Sequence, residues 1–240
     1  QRAFRGAYLV AYDTDKDQVR WAEMMIPKEG CRCLCLNEER RELYAITYPR
    51  DHFVVYDLDK RELRDIGRIG SVNCQCIFSD RHGRAYFTND HGRLQRYDPN
   101  RGRLEALPHL VARESYQSGW HGVLYDAVAA PDGSCIYMLP WMVQPHLMRY
   151  WPDEGEYGRL EDLGRVTQAR DPHHPLSMSL DHAGGLVFGT DDKLYYVRAR
   201  WPEGCEQNRE FRELREAWGE VMRYDPATGH QEGVCGLTRP

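Results

Sequence analysis

Lysine is scarce: only Lys16, Lys28, Lys60 and Lys193 contribute to the 32 basic side chains, and the rest are Arg. Basic charge is not in excess either, because 37 acidic residues outweigh those 32 and leave a net charge of −5. That balance removes the electrostatic footprint of a general nucleic-acid binder. No run approaches the ~18 to 20 apolar residues that a membrane-spanning helix needs, and no lipidation signature stands at the end of the sequence. Neither a nucleic acid nor a membrane is therefore expected as a partner; the sequence reads as soluble, and periplasmic, secreted and cytoplasmic locations all fit it. The Gly-x-x-x-x-Gly-Lys-Ser/Thr, Gly-x-Gly-x-x-Gly, His-Glu-x-x-His and Gly-x-Ser-x-Gly signatures are missing, so nucleotide, zincin and serine-hydrolase chemistry lack support.

Cysteine is present without the Cys-x2-4-Cys spacing of a zinc site. Of the eight, Cys31, Cys33, Cys35, Cys74 and Cys76 form Cys-x-Cys patterns on apparent strands, where alternate residues share a face. Buried free thiols acting as small core residues are the favoured reading; cross-strand disulfides or a thiolate metal site are the alternatives. Fifteen Tyr, six Trp and six Phe supply the large apolar groups that a disordered chain lacks.

The strongest signal is self-similarity. A Tyr-Asp corner recurs at Tyr12-Asp13, Tyr56-Asp57, Tyr97-Asp98 and Tyr224-Asp225, with a looser copy at Tyr150-Trp151-Pro152-Asp153. Each copy sits between two short alternating strands, as the closing turn of a hairpin. Upstream of the last four copies lie the strands Leu43–Thr47, Ala85–Asn89, Cys135–Leu139 and Leu186–Thr190, each after a polar turn. Before that turn comes a further strand, such as Cys31–Leu36 or Asn73–Phe78. The unit is thus four strands, A to D, in ~40 to 45 residues, the size of one propeller blade.

The expected fold is an all-β propeller forming a single domain over residues 1–240, with blades near 27–70, 71–110, 111–166 and 167–240. Residues 5–26 supply only strands C and D of an earlier blade. Four and a half blades imply part of a larger ring of about six to eight blades, since propellers close to avoid an open edge; self-association over that edge is the alternative. Phe211, Leu214 and Trp218 recur at helical spacing, so residues 203–220 are expected to insert a short amphipathic helix into the last blade.

These Tyr-Asp-Pro-x-x-Gly and Asp-x-x-Gly turns resemble those of the YVTN-type and gluconolactonase-like propellers, and the resemblance covers nearly the whole chain. A weaker likeness, in a His-rich face alone, extends to polysaccharide-lyase propellers. The resemblance implies architecture more firmly than function.

In such connectivity the B-to-C and D-to-A loops meet on one face. Tyr48, Arg50, His52, Asp90, His91, Trp141, His146 and Asp191-Asp192-Lys193 are assigned to B-to-C loops, and Trp120, His121, His173 and His174 to D-to-A connections. Imidazoles, aromatics and carboxylates around one mouth make a polar concave site. Trp120, Trp141 and Tyr48 would stack on a saccharide, while His91, His146, His173, His174 and Asp90 would bind it. In a uronate lyase, His121 or His52 would act as base, Tyr48 as acid, and Arg50 as the cation on the substrate carboxylate. A non-catalytic module binding a carbohydrate or peptide is slightly favoured over an enzyme. A divalent metal is compatible, and a gluconolactonase-like hydrolase would use ligands such as Asn73 and Asp90, but no spacing fixes a set.

Overall fold

The computed structural model describes residues 5–70, 74–89, 91–111, 123–140, 145–166, 183–200 and 218–237. Every regular element among them is a strand. The first sheet pairs β1 (Gly6–Asp13) with β2 (Gln18–Pro27). Four antiparallel meanders follow, each pairing its strands in chain order. The second sheet is β3 (Gly30–Asn37), β4 (Glu42–Tyr48), β5 (His52–Asp57) and β6 (Glu62–Arg68). The third contains β7 (Phe78–Ser79), β8 (Ala85–Thr88), β9 (Arg93–Asp98) and β10 (Arg103–Leu110). The fourth contains β11 (Leu124–Ala129), β12 (Ile136–Pro140), β13 (His146–Trp151) and β14 (Arg159–Arg165). The fifth contains β15 (Ala183–Phe188), β16 (Leu194–Arg200), β17 (Trp218–Tyr224) and β18 (Gln231–Leu237).

Burial follows the radial stacking of these sheets. Strands β8 and β12 are buried throughout and β4 everywhere except Tyr48, because neighbouring sheets cover both of their faces. One core joins residues of the second, third and fourth sheets; another joins the fourth and fifth, and a third joins the first and second. The corner tyrosines Tyr56, Tyr97, Tyr150 and Tyr224 are each at most 3% exposed, whereas Tyr12, on the two-stranded sheet, is 50% exposed. Cys33, Cys74 and Cys76 sit within or against the largest core, and all the described cysteines are free thiols. Burial pushes Cys31, Cys33, Cys35, Cys76 and Cys135 upward, which keeps them protonated and inert.

The corner Asp closes its hairpin by accepting N–H bonds from its own turn. Asp57 Oδ1 accepts from Asp59 at 3.0 Å and from Lys60 at 2.9 Å; Asp98 and Asp225 accept from Asn100 and Ala227, both at 2.9 Å. Hydrogen bonds from the Lys60 and Lys193 ammonium groups hold Asp57 and Asp225 at about 2, below the ordinary 3.8. A depressed carboxyl contributes stability above its unfolded value and loses it as pH falls through its folded value. Thermal unfolding is therefore expected to move to lower temperature as pH drops from about 4 to 2. The double variant Asp57→Asn/Asp225→Asn, which keeps an acceptor in each turn, should flatten that decline; an unchanged slope would assign the acid sensitivity elsewhere.

The last sheet differs from its expected division. Leu186–Phe188 belongs to β15, the first strand, and Asp191-Asp192-Lys193 turns directly into β16. These three residues are thus in an A-to-B turn, on the face opposite the one assigned to them. The B-to-C connection of this sheet spans residues 201–217, so the expected helix lies mostly outside the described residues. Its end is corrected: Trp218, Gly219 and Glu220 begin strand β17.

Candidate functional site

In each meander the B-to-C loop and the D-to-A connection lie at one end, the loop face, and the two hairpin turns lie at the other, the turn face. The loop face is tied together by a repeated bond. The first residue after a fourth strand donates its N–H to the B-to-C loop of its own sheet: Ile69 to Asp51 O at 2.9 Å, Val111 to Gly92 O at 2.9 Å and Val166 to Pro145 O at 3.0 Å.

The tight loop between β4 and β5 gathers three of the expected residues, Tyr48, Arg50 and His52. Thr47 Oγ1 accepts the His52 N–H at 3.0 Å across the loop. Asp51 is 1% exposed and adopts a φ of 58°, a conformation that Asp tolerates better than branched residues. Tyr48 is 48% exposed, and the Arg32 guanidinium lies 4.6 Å from its ring centroid. Arg50 Nε reaches Glu29 Oε1 at 3.3 Å from the connection between β2 and β3. Glu29 itself is only 8% exposed, and its second oxygen, Oε2, has no hydrogen-bond partner. Arg32 Nε is likewise buried and unpaired.

His52 Nδ1 meets Asp65 Oδ2 at 2.7 Å, and His146 Nδ1 meets Asp162 Oδ1 at 2.8 Å. The two pairs occupy equivalent places in the second and fourth sheets. Each Asp opens an Asp-x-Gly-Arg bulge, Asp65-Ile66-Gly67-Arg68 and Asp162-Leu163-Gly164-Arg165, and accepts the glycine N–H at 2.9 Å. The glycines take φ of 134° and 99°, which side-chain-bearing residues avoid. His91 is exposed in the β8–β9 loop. Trp120, His121, Trp141, His173, His174, Asp90 and Asn73 lie outside the described residues. Among the described residues no group of three or more His, Cys, Asp or Glu is arranged to hold a metal ion. Sequence reasoning missed Glu29, Arg32, Asp65 and Asp162; for the two Asp residues, the repeated Asp-x-Gly-Arg was an available signal.

No protein-family pattern matches the chain, and no curated protein matches its sequence. Solved structures do. The periplasmic gluconolactonase PpgL of Pseudomonas aeruginosa is 14% identical with a TM-score of 0.62, over 96% of this chain and 62% of that one. An auxiliary nutrient-binding protein of Bacteroides thetaiotaomicron is 12% identical with a TM-score of 0.51, over 96% of this chain and 57% of that one. The β-propeller domain of Cps50 (Swd1) from Myceliophteria thermophila is 12% identical with a TM-score of 0.50, over 85% of this chain and 56% of that one. The chain has a β-propeller fold. It spans less than two thirds of the length of each of these propellers, and its five sheets are successive blades, the first represented by two strands.

On the propeller's turn face, two clefts lie between blades. One, of about 620 Å³, separates the first and second blades and is lined by Tyr12, Asp13, Trp21, Arg41 and Arg61. The other, of about 580 Å³, separates the fourth and fifth.

Proposed function

We propose that this propeller binds carbohydrate on its loop face, at the Glu29–Arg32–Tyr48–Arg50 cluster, without catalysing a reaction. The observation that carries the reading is the pair of buried atoms, Glu29 Oε2 and Arg32 Nε, that no protein group satisfies. Leaving such atoms unpaired costs stability, and a ligand that pairs them recovers that cost on binding. Glu29 Oε2 needs a donor and Arg32 Nε an acceptor. A hydroxyl group can meet either need, and a sugar ring carries several. The open side of Tyr48 is the flat surface on which such a ring lies. The name of one similar structure, a gluconolactonase, supports a sugar-related ligand, and that of another, a nutrient-binding protein, supports a binding role.

The recurrence of the His–Asp pair favours binding over catalysis, because a feature repeated in two blades belongs to blade architecture. A second reading rests on the Tyr48, Arg50 and His52 set. With Nδ1 held by Asp65, His52 has Nε2 left as a base, the arrangement a uronate lyase uses. Calorimetric titration with neutral and uronate oligosaccharides tests both readings. Binding without turnover is expected, and Tyr48→Ala should weaken it about tenfold or more by removing the stacking surface. Undiminished affinity in Tyr48→Ala, or binding of a peptide instead of sugars, would overturn the proposal. Accumulation of an unsaturated uronate product would establish the lyase.

A further inference from the structure

The cleft between the fourth and fifth blades is lined by a corner of the fourth blade that lacks the polar side chain found there in the second and third blades. Each complete blade carries a tyrosine on its second strand: Tyr44, Tyr86, Tyr137 and Tyr195, opposite Val55, Arg96, Arg149 and Arg223. In the second and third blades the hydroxyl meets the side chain two residues beyond its first-strand partner, Asn37 and Asp80; the fifth blade has Gly189 at that position, and its tyrosine turns to Asp191, two residues further on. Asn37 Nδ2 donates to Tyr44 Oη at 2.8 Å, Tyr86 donates to Asp80 Oδ2 at 2.8 Å, and Tyr195 donates to Asp191 Oδ2 at 2.9 Å.

In the fourth blade that place is held by Ala130. The backbone bonds match those of Asp80. Ala130 N donates to Cys135 O at 2.8 Å as Asp80 N does to Arg84 O at 3.1 Å, and Gly133 N donates to Ala130 O at 2.8 Å as Gly83 N does to Asp80 O at 2.9 Å. A methyl group offers the Tyr137 hydroxyl no acceptor. The hydroxyl instead takes a long 3.4 Å bond from Arg149 Nη1, and the corner opens onto the cleft, walled by Trp151, Phe188 and Pro226.

We propose that this seam binds a small sugar acid, whose carboxylate takes the position that the Asp80 carboxylate holds one blade earlier. Tyr137 Oη is the matching hydroxyl donor, as Tyr86 is to Asp80. Arg149 Nη1 is the cationic donor, because Nε and Nη2 of the same guanidinium are committed to Glu161 Oε2 at 3.1 and 2.7 Å. Asp132 and Asp192 also line the cleft. They accept hydrogen bonds from hydroxyls and repel anionic charge in proportion to its amount, so a polyanion is disfavoured most, and a single carboxylate on a hydroxylated body is held by Arg149 and Tyr137. The inference is independent of the loop-face site, which lies at the other end of the blades.

The probe is D-glucuronate titrated into the full chain, with D-glucose, which lacks the carboxylate, as comparator. Glucuronate should bind at least about tenfold more tightly than glucose. Ala130→Asp places an internal carboxylate in the corner, and should lower glucuronate affinity about tenfold or more while holding or raising the unfolding temperature. Tyr137→Phe keeps the ring, removes the donor, and should weaken binding several-fold; it decides the matter if Ala130→Asp does not fold. The titrations are run in Tyr48→Ala as well as in the wild type, so that binding at the loop face is told apart from binding at the seam. Equal affinities for the two probes, no glucuronate binding, wild-type affinity in the variants, or loss of binding only in Tyr48→Ala would each overturn the proposal, the last by moving the ligand to the loop face.

Discussion

Truncating Phe53 to Ala is expected to destabilise the propeller by about 3–5 kcal/mol, read as a shift in the urea or guanidinium midpoint. Phe53 is fully buried on the third strand of the second blade, and its ring stacks on Phe87 of the third blade at 5.2 Å with a 19° interplanar angle. Tyr97 lies 5.0 Å away and Tyr44 6.0 Å away. The side chain therefore joins two blades that share no strand pairing, and its removal leaves a cavity that neither rigid sheet can collapse to fill. Truncation of Val187, 54% exposed, should cost no more than about 0.5 kcal/mol. If Phe53→Ala were as mild as Val187→Ala, blade-to-blade aromatic packing would not be what holds the fold together.

Blade division was legible because each hairpin advertises itself locally. A corner Asp that bonds its own turn must be followed by a strand, and the alternation of the flanking residues fixes which face is buried, so the middle three blades fall close to the expected limits. The fifth failed for a physical reason. A strand followed by an acidic turn looks the same whether the turn joins A to B or B to C, and with a long connection at residues 201–217 the spacing no longer distinguishes them. The mouth of the site was legible only in part. Tyr48, Arg50 and His52 are neighbours in sequence and come together through one short loop. Glu29 and Arg32 reach them only through the packing of the second blade's first strand beside that loop, a tertiary relation that leaves no trace in local pattern. Asp65 pairs with His52 through strand register, and only the comparison of its Asp-x-Gly-Arg bulge with that at Asp162 would have drawn attention to it.

The Asp80 corner should be as costly to remove as the aromatic seam. Its side chain is 2% exposed and accepts four bonds: from the N–H groups of His82 at 2.9 Å and Arg84 at 3.0 Å, from Arg84 Nε at 2.6 Å, and from Tyr86 Oη at 2.8 Å. Arg84 then crosses to the fourth blade, where its Nη2 donates to Asp153 at 2.8 Å. Asp80→Ala takes the acceptor from a buried phenol and from Arg84 Nε, leaving Arg84 only its bonds to the fourth blade, so a loss of about 3–5 kcal/mol is expected. Asp80→Asn retains an acceptor for the turn while removing the charge, and should fall between the variant and the wild type. The fourth blade tolerates Ala130 at the same backbone position because Arg149, from the third strand, reaches the hydroxyl of Tyr137 that would otherwise be orphaned. Among the described residues of the third blade no such substitute is free, since Arg96 is tied to Glu105 at 2.7 Å and to Glu156 O at 3.0 Å. An Asp80→Ala cost below about 1 kcal/mol would show that a methyl group serves this corner as well as a carboxylate does, and would remove the basis for regarding the Ala130 cleft as a vacancy shaped for an acid.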